Sequence, residues 1–210
     1  MPFFNVRAPA LPQARDAYDP RIQNTFSDVL RLYFNRLDAD LNSLSTSLGA
    51  SQLNVPTASY YDTTTQTAAS INTAYKVKFG TAINQNGIAV SGTGGTRFTV
   101  ERTGIYNISF TGQKESSSAS TQEMHVWIAK NGTNVANSAQ AYSTHNNNQR
   151  TALHWNYNIV LTANEYIELM WSVDVTTLTL APEGAATPHP AVPSASLTIN
   201  FISNTEGFVA

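Results

Sequence analysis

The chain of 210 residues contains no cysteine and little charge, and each absence excludes a class of chemistry. Without cysteine there is no disulfide framework, no thiolate nucleophile and no Cys-ligated zinc site. Charged residues make up 12% of the chain, so Ser, Thr, Asn and Gln must keep its surface soluble. With 12 Lys and Arg against 14 Asp and Glu and no basic run, we expect no nucleic-acid partner.

Long apolar runs are also missing. No run approaches the roughly 20 residues that a membrane-spanning helix needs, so we expect no membrane insertion. The first residues, MPFFNVRAPALP, lack the basic and apolar regions of a signal peptide. We therefore expect synthesis in a cytoplasm without Sec export.

Motifs that carry catalysis or bind metals are absent from the sequence. There is no G-x-S-x-G elbow and no EF-hand loop, and the four histidines are scattered. The glycine-rich Gly92–Gly95 segment precedes a predicted strand rather than a helix, so it offers no helix N-terminus to a phosphate. We predict no catalytic residue, no cofactor and no metal.

Residues 1–19 combine prolines with apolar side chains. Proline restricts its own φ and the residue before it, so we expect an extended arm. A disordered terminus is the alternative, since chain ends usually fray. The apolar residues favour an arm that anchors the protein on a partner, and they are Phe3, Phe4, Val6 and Leu11.

Residues 20–48 have the pattern of a helical coiled-coil stem. Asp19 can cap the first free amides and Pro20 suits the first helical position, while Gly49 stands where the helix should end. The apolar residues alternate at spacings of four and three, which is typical of a coiled-coil seam. A single helix folded against its own head is the alternative. The seam consists of Leu30, Phe34, Leu37, Leu41, Leu44 and Leu48.

The remaining chain predicts a neck at residues 49–66 and a β head at 67–210. The neck consists of small, polar and β-branched residues, and Pro56 excludes a regular helix there. In the head the apolar residues alternate with period two, in short strands separated by turn signals. Asn131-Gly132 between two such runs predicts a hairpin. The fold class is therefore mainly β, an antiparallel jelly-roll sandwich preceded by the helical stem.

The order of motifs in the head resembles the C1q and tumour-necrosis-factor-like superfamily, in the form found in phage structural proteins. Gly104-Ile-Tyr106 with Phe110, Trp127-Ile-Ala-Lys-Asn-Gly132, Leu161-Thr-Ala-Asn-Glu-Tyr166-Ile-Glu-Leu169 with Trp171, and Pro193-Ser-Ala-Ser-Leu-Thr-Ile199 carry the resemblance. Members commonly have Gly-Asp before the tyrosine of the third motif, where this chain has Asn164-Glu165. The resemblance implies a ten-stranded jelly roll that assembles as a tight homotrimer.

The stem segment Leu30-Arg-Leu-Tyr-Phe34-Asn-Arg-Leu-Asp38 is similar to N-terminal segments of virion proteins from tailed phages, cyanophages in particular. This similarity implies a location in the virion, with assembly in the host cytoplasm. The implied partners are further copies of the chain and another virion protein, whether portal, adaptor, tail or major capsid protein.

Two polar loops of the head are candidates for recognition, because loops on a rigid sandwich usually carry binding sites. Their amide and hydroxyl groups can hydrogen-bond sugar hydroxyls, so a host-surface glycan is a further candidate partner. A solvated loop without a ligand is the alternative. The candidate residues are Gln113, Lys114, Glu115 and Gln122 in the first loop, and His145, Asn146, Asn147, Asn148, Gln149 and Arg150 in the second.

Together these features predict a non-enzymatic, homotrimeric virion structural protein. We expect a short fibre or spike, anchored by its N-terminus and displaying the head for host-surface binding. A capsid decoration or cement protein that stabilises the shell is the main alternative. A spike with polysaccharide hydrolase activity is a third, less favoured one.

Overall fold

The computed structural model describes residues 9–11, 19–45, 55–145 and 149–205. The chain divides into two compact units, Met1–Asn54 and Val55–Ala210. Among the described residues, the first unit contains one helix and the second contains every strand. The protein is therefore mainly β, as the sequence predicts.

Helix α1 spans Pro20–Ser45 and begins at the predicted cap. The Oδ1 atom of Asp19 accepts a hydrogen bond from the backbone N–H of Arg21 at 2.9 Å. This contact satisfies one of the amides that the first turn of a helix leaves free, and Pro20 has no N–H to satisfy. The predicted start of the helix is confirmed.

The apolar stripe of α1 is described as far as residue 40. Leu30 and Leu37 are half-buried, whereas the Phe34 side chain is 56% exposed. Leu41 and Leu44 lie within the helix, but their side chains are outside the described part. Leu48 and the predicted C-cap residue, Gly49, lie outside the described residues altogether. The structure therefore establishes the helix and not a coiled coil.

The second unit is a sandwich of two antiparallel sheets. The six-stranded sheet contains β1 (Thr57–Asp62), β3 (Thr81–Asn86), β6 (Gly104–Ser116), β10 (Arg150–Leu161), β12 (Leu178–Leu180) and β13 (Ala195–Ser203). The seven-stranded sheet contains β2 (Tyr75–Lys76), β4 (Ile88–Ser91), β5 (Arg97–Val100), β7 (Gln122–Lys130), β8 (Thr133–Asn134), β9 (Gln140–Thr144) and β11 (Tyr166–Val173).

The strand order joins distant parts of the chain. In the six-stranded sheet the order is β10-β6-β13-β1-β3, with β12 also on β6, so the first and last strands are neighbours. In the other sheet the order is β4-β5-β11-β7-β8, with β2 on β11 and β9 on β7. This two-sheet antiparallel arrangement is compatible with a jelly roll.

Alternation along the strands explains the core between the sheets. Strand β6 alternates buried and half-buried side chains over all 13 of its residues. The period-two alternation predicted for the head is seen here, because Tyr106, Ile108 and Phe110 share one face and all three side chains are buried. Burying a large apolar side chain of this kind contributes about 1.5–3 kcal/mol.

Two asparagines make the predicted turns. Asn131 and Gly132 join β7 to β8 with φ of 50° and 80°, so both central residues of the hairpin have the positive φ that an Asn-Gly pair tolerates. Asn164 turns the chain between β10 and β11 with φ of 71°. Glu165 accepts a hydrogen bond from Thr162 N at 2.8 Å and so closes the same turn.

Close packing explains why glycine and tyrosine stand at positions 104 and 106. A Cβ at residue 104 would meet the ring of Phe201 and would lie 2.6 Å from the carbonyl oxygen of Ser203, so glycine lets β13 approach closely. Tyr106 is fully buried, and its hydroxyl donates a hydrogen bond to the carbonyl oxygen of Arg102 at 2.6 Å. Burial raises the pKa of Tyr106 to about 12.

The sandwich begins earlier than predicted, because part of the proposed neck at 49–66 is a strand. Strand β1, Thr57–Asp62, lies between β13 and β3, and its Tyr60 side chain is buried. Gln66 also bridges to Leu180. The inward positions of β1 are Ala, Tyr and Asp, an alternation too weakly apolar to distinguish a strand from a polar linker.

Candidate functional site

A cleft of the sandwich unit lies where two strands, β5 and β2, pair with the same edge of β11. Strand β5 pairs with β11 at Tyr166 and Ile167, and β2 pairs with it at Met170 and Trp171. Glu168 therefore lies opposite the gap between the ends of β5 and β2. The cleft at this gap has a volume of about 570 Å³.

A buried carboxylate with two cationic partners occupies the gap. The Glu168 side chain is only 4% exposed, and its Oε1 atom accepts from Lys76 Nζ at 2.8 Å and from Arg97 Nε at 3.2 Å. Both contacts are hydrogen bonds as well as ion pairs. A buried carboxylate requires such partners, because its charge is poorly solvated in the protein interior.

The Arg97 guanidinium is held from a second direction. It stacks over the Tyr166 ring, with its central carbon 3.9 Å from the ring centroid. Its Nε atom is used by Glu168, whereas its two terminal NH₂ groups make no hydrogen bond within the described residues. The arginine therefore presents the end of its fork in a restrained orientation.

The other walls of the cleft are polar and aromatic. The side-chain amide of Gln66 pairs with the backbone of Lys78 through two hydrogen bonds of 2.9 Å, which fixes one wall. Tyr75 and Trp171 also line the cleft, with ring centroids 6.0 Å apart. The indole N–H of Trp171 is buried and has no hydrogen-bond partner in the described structure.

The first predicted recognition loop is much shorter than the sequence suggests. Gln113, Lys114 and Glu115 lie in β6 and Gln122 lies in β7, so only residues 117–121 form the connection. The polar composition of this stretch predicts a loop, but β6 continues its alternation of buried and half-buried side chains through these polar residues. The placement of these four residues in a loop was wrong.

Two of these residues are buried in the sandwich. The Lys114 side chain is 1% exposed, and its Nζ atom donates to the carbonyl oxygens of Tyr142 at 3.1 Å and Ser143 at 2.8 Å. Burial lowers the pKa of Lys114. Gln122 is also buried, and its Oε1 atom accepts from Ser116 Oγ at 3.0 Å. Neither side chain can reach a ligand at the surface.

The second predicted loop lies beside the first. His145 is exposed, and its Nδ1 atom is 3.0 Å from Thr121 Oγ1. Gln149 Oε1 accepts from Thr144 Oγ1 at 2.8 Å. Arg150 begins β10 and pairs with two carboxylates, at 3.2 Å from Glu115 and 3.4 Å from Glu183. Asn146, Asn147 and Asn148 lie outside the described residues.

The predicted anchoring arm is described only at residues 9–11. Leu11 is exposed, whereas Phe3, Phe4 and Val6 lie outside the described residues. The anchoring role of the arm therefore stays a prediction.

Across residues 9–11, 19–45, 55–145 and 149–205, no three His, Cys, Asp or Glu side chains come together as metal ligands. Within those ranges, no helix has both the length and the apolar character needed to cross a membrane.

Comparisons with known proteins add no assignment: no protein-family model matches the chain, and a search of curated proteins finds no match either. The cleft residues were not singled out by sequence reasoning. The sequence does contain one indication of the cleft, because Glu168 is a lone carboxylate inside the apolar run Tyr166–Trp171. A charge at such a position is rarely buried without a partner, which suggests a nearby cation.

Proposed function

We propose that this protein is a non-enzymatic, homotrimeric virion structural protein. In this proposal it forms a short fibre or spike, with the N-terminal arm and helix as anchor and stem and a C1q-like head that contacts the host surface. The observation that carries the proposal is the division of the chain into a helical unit and a β-sandwich unit. This is the order that the resemblance implies for a stem followed by a head.

The apolar stripe of α1 supports the trimeric stem. Phe34 is 56% exposed at a seam position, and half-buried Leu30 and Leu37 flank it. Exposed apolar side chains at spacings of four and three are what a coiled coil buries between its helices. Three anchoring arms gathered by one stem would bind a particle far more tightly than one arm, through their high effective concentration.

A capsid decoration protein is the second candidate, and one surface of the sandwich favours it. Val160 and Ile202 are 52% and 53% exposed, and Val160 pairs in register with half-buried Ile105. Val160 and Ile105 form a small apolar cluster on an outer face that also carries Asn107, Asn156 and Asn158. Such a cluster fits packing against another protein, including a shell protein or a second copy.

Two deletions test the proposal on assembled particles. Removing residues 1–19 is expected to leave a folded trimer that no longer joins particles. Shortening residues 143–150 is expected to leave incorporation intact and to alter adsorption to the host. Particle occupancy and adsorption rate are the measurements.

Each deletion also has an outcome that would contradict the role proposed for the deleted segment. Truncated protein at normal occupancy on particles would remove the anchoring role of the arm. Unchanged adsorption after loop shortening, together with weaker particles when the whole protein is absent, would favour the decoration role. A monomer by light scattering at micromolar concentration would reject the trimer.

A further inference from the structure

The cleft beside β11 carries more positive charge than its buried carboxylate requires. Lys76, Lys78 and Arg97 line it together with Glu168, so three cations face one anion in a chain whose formal net charge is −2. One partner would compensate Glu168, yet Lys76 and Arg97 both bind its Oε1 atom. Lys78 is exposed and forms no ion pair within the described residues. The excess charge is available to an anion.

Arg97 is positioned to bind a planar anion with two hydrogen bonds. Its Nε–H is directed to Glu168 and its plane is held on the Tyr166 ring, which restrains the side chain before any ligand arrives. The end of the guanidinium, with its two NH₂ groups, matches the spacing of two carboxylate oxygens. A purely structural ion pair does not need this second restraint.

The rest of the cleft suits a sugar ring. Its volume of about 570 Å³ lies within the range of pockets that enclose small ligands. Thr65, Thr67 and Thr93 line it with exposed, short polar side chains that can hydrogen-bond sugar hydroxyls. Half-buried Tyr75 adds an aromatic surface, against which the apolar face of a sugar can pack, and buried Trp171 supports its ring from behind.

We propose that this cleft binds the carboxylate of an acidic saccharide, with Arg97 as the bidentate ligand and Lys78 as the second cation. This inference rests on the proposed function, and it names uronic-acid polysaccharide as the class of host-surface molecule that the head recognises. Glu168 orients Arg97 and Lys76, and Tyr75 sets the position of the sugar ring. The site differs from the two loops at residues 117–121 and 143–150.

Binding to the full-length protein tests the assignment. The probe is a short oligogalacturonate, and its matched control is the same oligosaccharide with every carboxyl group reduced to an alcohol. Calorimetry and tryptophan fluorescence report binding, because Trp171 lines the cleft. The acidic probe is expected to bind at least about tenfold more tightly than the reduced one, since charge-assisted hydrogen bonds are the strong ones. Its affinity should fall as salt is added.

Variants locate the site. Arg97→Lys keeps the charge but loses the fork, and it is expected to weaken binding by about tenfold or more. Lys78→Gln changes an exposed side chain, so it tests the cation without disturbing the fold. Lys130→Gln is the matched control, because Lys130 pairs with Glu165 away from the cleft and its loss should leave affinity unchanged. Thermal unfolding verifies that each variant is folded.

Several results would overturn the assignment. These are equal affinity for the reduced probe, unchanged affinity in both cleft variants, and preference for a sulfated galactan oligosaccharide. If the protein binds no acidic saccharide yet joins particles and supports adsorption, the cleft proposal fails while the proposed function stands. Binding of acidic saccharide by a protein that is never found on particles would support the cleft and reject the virion role.

Discussion

Replacing Tyr106 with phenylalanine removes one hydroxyl from the centre of the sandwich. The Tyr106 side chain is fully buried, and its hydroxyl donates to Arg102 O at 2.6 Å. Phenylalanine keeps the ring but leaves that carbonyl oxygen without its partner. Losing one side of a buried hydrogen bond lowers the free energy of unfolding by about 1–3 kcal/mol at neutral pH.

The same hydroxyl makes this loss depend on pH. Burial raises the pKa of Tyr106 to about 12, above its ordinary value of 10.0. The folded state therefore holds the proton more tightly than the unfolded state, so the stabilising contribution is complete below pH 10 and is lost as pH rises towards 12. Because one pKa unit corresponds to about 1.4 kcal/mol, the parent should lose about 1.4 kcal/mol between pH 9 and 11 through this residue alone.

Urea unfolding of the parent and Tyr106→Phe at pH 8, 9 and 11 measures the effect at one fixed protein concentration. The stability gap between them is expected to narrow by about 1.4 kcal/mol at the highest pH, because phenylalanine cannot ionise. Tyr61→Phe is the control, since Tyr61 lies half-buried on β1 and its hydroxyl makes no hydrogen bond within the described residues. A gap that stays constant across this range would refute the account of Tyr106.

Three further changes test packing, the buried lysine and the stem. Gly104→Ala is expected to lower the free energy of unfolding by about 1–3 kcal/mol, because the added Cβ would clash with the Phe201 ring. Chemical denaturation measures this loss, and a value below about 0.5 kcal/mol would contradict the close packing. Lys114→Met removes the two hydrogen bonds from Nζ to β9, so amide hydrogen exchange in β9 should become about tenfold faster or more. Unchanged exchange would mean that Lys114 does not stabilise β9. Replacing Leu37 and Leu41 with Asp should weaken association in analytical ultracentrifugation, and an unaltered assembly would mean that the stem contributes little.

Local chemistry was enough to predict several elements of this fold. Asp19 and Pro20 start the helix, and Asn131-Gly132 makes a hairpin, because caps and tight turns depend on a few adjacent residues. The inward residues of β6 were also predictable, since alternation with apolar residues identifies the buried face of a strand, whereas β11 also buries Glu168, which lies out of phase. The sequence by itself therefore determined the class of fold and most of its strands.

Tertiary structure alone decided where the polar residues lie. Lys114 and Gln122 look like loop residues, but each has its partner in the opposite sheet, on β9 and β6, and only the packing of the two sheets brings these groups together. The cleft also depends on tertiary structure, because Lys76 and Arg97 come from β2 and β5, which both pair with the β11 edge that carries Glu168. A buried polar group is tolerated only when such partners exist, and a linear pattern does not contain their positions.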